Sequence, residues 1–328
     1  MPLYQNKLAL WICVFVGLIV IGGIKLVFGQ KNRRRRRASL MMEELQAPHV
    51  HMEDPQRVAS IIEALIEGGK DKLQVIADFD RTLSRFSFEG DIVPTCHGII
   101  DESTLLPESY RIEATTLRNK YYAIEMDPDL TSDEKKPYMV EWYTKAHKLM
   151  VACNIRQQEL KRIVRESGSK LREGCDSFFK VLDKNSIPLL IFSAGIGDII
   201  QEIIEFHTGI YDNMKIVSNF MDFNGSGLLR GFRGELIHTF NKNEGAIGNS
   251  DYFGKLRSRE NAILMGDTIG DLKMADGAGH VTNILKIGFL NDSDKVEHLL
   301  PCFKANYDIV LVGDETVSIH NALLNKII

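Results

Sequence analysis

The chain has 328 residues, 44% of them apolar and 26% charged, with a formal net charge of −4. That is the balance of a folded globular protein, long enough for one core domain carrying a smaller inserted one, and the slight negative charge argues against general nucleic-acid binding. The five cysteines, Cys13, Cys96, Cys153, Cys175 and Cys302, are odd in number and widely spaced with no C-x-x-C pair. They give neither a disulfide framework nor a zinc site, and predict reduced thiols in a cytosol-facing body.

From the N-terminus, Leu8 to Ile24 is an unbroken run of apolar and small residues, interrupted by Lys25 and continued by Leu26-Val27-Phe28. As a helix it is long enough to span a bilayer, with Lys25 reaching back to the interface. The basic stretch Lys31-Asn32-Arg33-Arg34-Arg35-Arg36-Arg37 follows it, and only Lys7 is charged on the other side. The spacing predicts a single transmembrane helix over residues 1–30, with the catalytic part on the cytoplasmic face of the endoplasmic reticulum or another internal membrane. A cleaved signal peptide would carry its charge before the apolar run rather than after it. A nuclear-localisation reading of the arginines leaves the apolar run unexplained.

Residues 31–54 read as a basic linker. Val58, Ile61, Ile62, Leu65 and Ile66 have helical spacing up to Gly68-Gly69, and Leu73-Gln-Val-Ile-Ala-Asp78 is a short buried strand. Further strand-length apolar runs are Pro188–Ser193, Lys215–Phe220, Ala262–Gly266 and Asp308–Val312, with helical stretches at 196–207 and 269–276. Strands alternating with helices predict an α/β fold with a parallel sheet, whose ligand lies beyond the carboxyl ends of the strands. The interval 88–170 breaks the rhythm; it is polar, with candidate helices at Glu113–Tyr122, Thr131–Met150 and Gln158–Ser167. It reads as a helical cap inserted between a first core part, 55–87, and a second, 171–328.

The chemistry sits where strands end. Asp78 and Asp80 in Asp78-Phe-Asp-Arg-Thr-Leu83 fall on one side of an extended chain. Two close carboxylates repel, a hard cation relieves that, and the pair can divide into a nucleophile and a general acid and base. Two solvated carboxylates at a strand end are the plainer alternative. Ser193-Ala194-Gly195 ends the next strand where a hydroxyl and turning amides suit a phosphate, although a helix N-cap would look the same. Lys242 follows Leu236–Phe240, itself strand-like, and is either a solvated lysine or the cation of a phosphate site. Gly266-Asp267-Thr-Ile-Gly-Asp271 again puts acids at a strand end, as metal ligand and support for the metal or for Lys242, or as a simple turn.

The order of these four pieces, each just after an apolar strand, resembles the haloacid dehalogenase superfamily of phosphohydrolases over about residues 70–315. The resemblance implies a Rossmann-like core with a C1-type helical cap. It narrows further. Asp78-Phe-Asp-Arg-Thr-Leu-Ser-Arg-Phe, Lys120-Tyr-Tyr-Ala-Ile-Glu125, Tyr138–His147, Phe192-Ser-Ala-Gly-Ile-Gly, Val217-Ser-Asn-Phe-Met-Asp-Phe and Gly234–Lys242 are similar to the cytosolic 5′-nucleotidase III, or pyrimidine 5′-nucleotidase, family. The resemblance implies Asp78 as nucleophile and Asp80 as proton donor. It implies Asp78, Asp80 and Asp267 as Mg²⁺ ligands, with one contact from the Asp80 backbone carbonyl, and Ser193, Ala194 and Lys242 as phosphate holders. Asp271 supports them, and Glu125 contacts the nucleotide from the cap. His97 occupies a base-stacking position where histidine marks a branch favouring CMP and UMP, and tryptophan one that also takes 7-methylguanosine monophosphate. Ala146 replaces a serine often found near the base or sugar, and Arg81 replaces a frequent methionine.

The expected protein is then a Mg²⁺-dependent 5′-nucleotidase acting on nucleoside monophosphates, CMP and UMP first, as a membrane-anchored monomer, with phosphotransfer to another nucleoside as a side activity. The alternatives are a relative preferring 7-methylguanosine monophosphate, a phosphatase for another small ester, and a membrane-tethered nucleotide-binding protein that has lost catalysis.

Overall fold

The computed structural model describes residues 42–127, 129–242, 252–276 and 279–328. An eight-stranded sheet forms the centre. Its strands are β1 (Val50–His51), β2 (Leu73–Ala77), β5 (Leu189–Ile196), β6 (Met214–Phe223), β7 (Leu229–Arg233), β8 (Asn261–Gly266), β9 (Asn283–Leu290) and β10 (Ile309–Val312), in spatial order β1-β10-β9-β8-β2-β5-β6-β7. A separate hairpin joins β3 (Ser87–Phe88) to β4 (Asp91–Ile92). The six inner strands run parallel, and β1 and β7 close the edges antiparallel. Strands β2, β5 and β8 are buried at every position. That is why they read as continuous apolar runs rather than as alternation. Residues 42–54, part of the predicted linker, include edge strand β1, so the sheet begins earlier than the apolar pattern indicates.

Helix α1 (Pro55–Gly68) begins on Asp54, whose carboxylate accepts the N–H groups of Gln56 and Arg57 at 3.0 Å each, and ends where Gly69 takes φ +66°. Between β2 and β5 lie five helices, of which the first four, α2 (Cys96–Asp101), α3 (Glu108–Glu125), α4 (Ser132–Ala152) and α5 (Gln157–Glu166), make up the insert and α6 (Cys175–Lys184) leads back to the sheet. Two chain segments tie this insert to the sheet, and they pair with each other. Ser84 bridges Leu171, Arg85 N–H donates to the Lys170 carbonyl, and Arg172 N–H donates to the Leu83 carbonyl.

The transmembrane helix expected at the N-terminus is corrected. No helix among the described residues is long and apolar enough to cross a membrane. The longest, α4, carries charges along its length, from Asp133 and Glu134 to Lys145 and Lys148, so only one face of it suits an apolar environment. Residues 1–30, on which that expectation falls, lie outside the described part. Two local expectations also change. Residues 269–276 form a 3-10 helix, Ile269–Ala275, and Leu236–Phe240 is a loop rather than a strand. The loop arises because side chains take its backbone bonds. Asn219 accepts from Ile237 N–H and donates to the Ile237 carbonyl, while Asn241 bonds the His238 N–H and the Leu236 carbonyl.

Candidate active site

Strands β2, β5 and β8 are neighbours and parallel, so their carboxyl ends meet on one edge. Asp78 leaves β2 with its N–H bonded to the Met265 carbonyl at 3.0 Å, beside the end of β8. Its carboxylate meets Lys242 Nζ, and Lys242 also bonds Asp271 Oδ1 at 2.8 Å. Both carboxylates and the ammonium are buried. Burial pushes the Asp78 carboxyl up to about 7 against the pull of Lys242. Burial works against the Lys242 charge, but Asp271 and Asp78 outweigh it and hold the ammonium protonated.

Asp80 turns the other way. Its Oδ1 accepts the Cys96 N–H at 2.9 Å at the start of α2, which Thr95 caps. A Cβ placed on Gly195 would come within 3.0 Å of Asp80 Oδ2, 3.0 Å of the Cys96 Cβ and 3.1 Å of Ser193 Oγ. Glycine therefore lets the end of β5 close on Asp80. Ser193 Oγ accepts the Gly195 N–H at 2.9 Å, which leaves its own proton free to donate. The Ala194 carbonyl is held by Asn219 Nδ2 at 2.8 Å, so the same asparagine that shapes the Lys242 loop also fixes the end of β5. Burial raises the Asp80 carboxyl above its ordinary range, opposed chiefly by its bonds to Cys96.

Oxygens of Asp78, Asp267 and Asp271 lie within 4.8 Å of one another. Asp271 is already spent: Oδ1 takes Lys242 and Oδ2 takes the Thr268 N–H and hydroxyl, both at 2.9 Å. The Asp267 carboxylate has no hydrogen bond among the described residues. Burial, then Asp271 and Asp78, push its pKa well up. Uncompensated, all-oxygen negative charge of this kind fits a hard divalent cation. The Asp80 carboxylate is not part of that group.

The insert reaches the site through Glu125, at the end of α3, whose Oε1 accepts the Thr239 hydroxyl at 2.7 Å from the Lys242 loop. Tyr143 on α4 stands near the same contact, where the Glu125 charge acts on it. His97 on α2 meets the Tyr143 ring edge-on, with centroids 5.3 Å apart, and lies parallel to His147 at 6.0 Å. Burial holds His97 neutral, at about 4, and its Nε2 has no partner. Ala146 is the neighbour of His147 on α4 and brings only a methyl group.

Several participants escape sequence reasoning. Arg172 is fully buried and donates to the carbonyls of Arg81, Thr82 and Asp314 and to Asn291 Oδ1, holding the turn after Asp80 to the ends of β9 and β10. Asn219, Thr239 and Tyr143 carry no local pattern that separates them from other loop or helix residues; only the sheet order and the fold of the insert bring them in.

Fold and site together define a haloacid dehalogenase-like hydrolase, with carboxylates and a buried lysine at the ends of parallel strands under a helical insert. The pyrimidine 5′-nucleotidase (UMPH-1) family model matches residues 81–328. The 7-methylguanosine phosphate-specific 5′-nucleotidase of Homo sapiens is 52% identical over 279 residues, covering 85% of this chain and 92% of that one. Its counterpart in Drosophila melanogaster is 38% identical over 281 residues, covering 85% and 87%. A crystal structure of cytosolic 5′-nucleotidase IIIB bound to cytidine superposes with a TM-score of 0.81 at 38% identity, covering 87% of this chain and 95% of that one. The chain belongs to the pyrimidine 5′-nucleotidase family and is a nucleotide phosphatase.

Proposed function

We propose that the protein is a Mg²⁺-dependent 5′-nucleotidase that passes the phosphoryl group of a nucleoside 5′-monophosphate to Asp78 and then to water. The observation that carries this reading is the buried Asp78–Lys242–Asp271 contact at the joined ends of β2 and β8, with Asp80 facing Ser193 across Gly195. An Asp78 oxygen attacks phosphorus, and the bond to the 5′ oxygen breaks as Asp80 gives that oxygen its proton. Asp80, lifted by burial, suits a proton carrier. It then takes a proton from water, whose oxygen attacks phosphorus; the bond from phosphorus to the Asp78 oxygen breaks, which frees phosphate and restores the Asp78 carboxylate. Lys242 Nζ, Ser193 Oγ and the backbone at Ala194 hold the phosphate oxygens. Asp78 and Asp267, with the Asp80 carbonyl, would hold Mg²⁺, which when bound supplies positive charge against the transferring group. Asp271 orients Lys242.

The substrate reading rests on the insert. Glu125 is a half-buried carboxylate whose pKa burial raises, and its charge acts on Tyr143, whose ring meets His97. A cationic, flat base such as 7-methylguanine suits that combination, and the names of the relatives support it. The second reading is preference for CMP and UMP, supported by His97 in place of a tryptophan and by a solved relative that holds cytidine. The same relative's name supports a cytosolic place for the reaction. The test is phosphate release from 7-methylguanosine monophosphate, CMP, UMP, AMP and glucose 6-phosphate, with Mg²⁺ and after chelation. Release from the first three, lost on chelation and restored by Mg²⁺, is expected; release from glucose 6-phosphate alone would overturn the nucleotide reading.

A further inference from the structure

Thr239 has no part in the scheme above, yet three pieces of the molecule meet on it. It lies in the turn that leads to Lys242. Asn241 closes that turn: its Oδ1 accepts the His238 N–H at 2.7 Å, and its own N–H donates to the His238 carbonyl at 3.1 Å. A turn threonine commonly bonds its own backbone. The Thr239 hydroxyl instead crosses to the insert and donates to Glu125 Oε1, at 2.7 Å and 114 residues away, on the last residue of α3. The Thr239 carbonyl faces the acidic loop. A Cβ placed on Gly270 would lie 2.9 Å from that oxygen, so glycine lets residues 267–271 close on this turn. The backbone of Glu125 is held from the same place. Lys135 Nζ donates to the Glu125 carbonyl at 2.8 Å and stands 6.0 Å from the centroid of the Phe240 ring, next to Thr239. One carboxylate oxygen of Glu125 is thus taken, while Oε2 has no hydrogen bond among the described residues. An ionised carboxylate oxygen only accepts, so Oε2 is open to a hydroxyl or N–H of a nucleoside.

We propose that Thr239 is a positioning residue for nucleoside recognition: it fixes the Glu125 carboxylate at a set reach from the phosphate-holding Lys242 on the same turn, so that this one turn matches both ends of a nucleoside 5′-monophosphate. The turn suits this because it is tied at both sides, to the acidic loop through Gly270 and to the insert through Glu125. A group held in place before substrate arrives loses less freedom on binding than one that must be ordered then. The inference rests on the reading that Glu125 contacts the nucleoside and Lys242 the phosphate.

The experiment uses the full chain with Mg²⁺, CMP and 7-methylguanosine monophosphate as substrates, and inorganic phosphate as competing product. Thr239→Val keeps the shape and removes the donor. KM should rise about fivefold with kcat nearly unchanged, and the Ki of phosphate should stay the same, because phosphate alone does not reach the insert. Thr239→Ser keeps the hydroxyl and should bring KM back. Thr239→Ala gives the same reading as valine should valine crowd the Gly270 contact. In a Glu125→Gln background, Thr239→Val should add less than about twofold, since both changes act on one contact. A threonine that merely shapes the turn would move Lys242 with it, raising the phosphate Ki together with KM and lowering kcat. That result, a KM that serine does not restore, or effects of the two changes that multiply would overturn the inference. If Glu125→Gln raises KM and the Thr239 variants do not, the nucleoside contact stands and Thr239 loses its role. If Glu125→Gln leaves KM unchanged, the contact itself is wrong and the inference falls with it.

Discussion

At the strand ends, the groups that build the reaction centre bond one another. Asp271 receives Lys242, Thr268 and the Asp267 N–H, and Asn219 bonds the carbonyls of Ala194 and Ile237 and the Ile237 N–H. Across the cleft the insert is different. His97 Nε2 and His147 Nε2 are buried with no partner, and the Glu125 carboxylate makes its hydrogen bond to the core, at Thr239. Apart from the Asp267 carboxylate and the Ser193 proton, the first region is bonded together before substrate arrives, as electrostatic preorganisation requires. The second has polar atoms still to satisfy, as a surface completed by a nucleoside would.

The largest effect should come from the strand ends. Asp78→Asn is expected to lower kcat by about 10⁴-fold or more on every nucleotide, with the fold kept, because the nucleophile is removed while Lys242 keeps Asp271. Phosphate release and a thermal melt check both halves. A loss that differed widely from base to base would break the division between chemistry at the strand ends and choice at the insert.

Arg172→Met comes next and reads as stability. The carbonyls of Thr82 and Asp314 lose their donor inside the protein, and that of Arg81 keeps only Asn291 Nδ2. Stranding such groups costs about 2–4 kcal/mol, measured by denaturant unfolding. Because Arg81 and Thr82 follow Asp80 directly, kcat should fall as well. An unchanged unfolding midpoint would mean that water replaces the guanidinium, and that the strand ends are less closed than their bonding indicates.

How far these regions were legible in the sequence follows the same line. Asp78 and Asp267 stand out because each directly follows a strand buried on both faces, and Ser193 because it closes the apolar run of β5, which continues to Ile196; parallel strands deliver their carboxyl ends to one edge. Lys242 is brought in by a loop whose strand-like apolar pattern is overridden by Asn219, a partner 18 residues from Ile237 that no local pattern reveals. Arg172 looks like any polar residue after an insert, and only the meeting of the two connecting segments buries it. In the insert, Glu125 and His97 stood out by family resemblance alone, since a helix in contact with ligand has no periodicity of its own. The membrane helix is the reverse case: apolar length predicts it at residues 1–30, outside the described residues, and no helix among the described residues is long and apolar enough to cross a membrane.

A smaller effect tests the insert. Glu125→Gln keeps the shape but removes the charge facing the Thr239 hydroxyl. KM for a nucleotide should rise about tenfold, with a larger rise for 7-methylguanosine monophosphate than for UMP if the cationic base is read by this carboxylate. Equal effects on both would move base choice away from Glu125 and toward the rings of Tyr143 and His97.

The smallest effect compares histidines in the two regions. Burial holds His320, on the C-terminal helix Ser318–Ile327, at about 3, and His97 at about 4. A histidine lowered in the folded state takes up its proton only on unfolding at mildly acid pH. Its contribution is therefore complete above about 6.5 and is lost as pH falls toward the folded value. At pH 5.5 each such ring removes about 1.4 kcal/mol from folding stability by that linkage. His320→Leu should flatten the acid limb by that amount and leave kcat/KM unchanged, since its ring packs on Phe289 and Phe178, away from the site residues. His97→Leu should flatten the limb similarly but also raise KM, because its ring meets Tyr143 beside the contact between Glu125 and Thr239. If unfolding at pH 5.5 and 7.5 gives the same proton linkage for both and only His97 moves KM, the unpaired nitrogen of the insert belongs to substrate binding, and that of the core helix is only the cost of a buried ring.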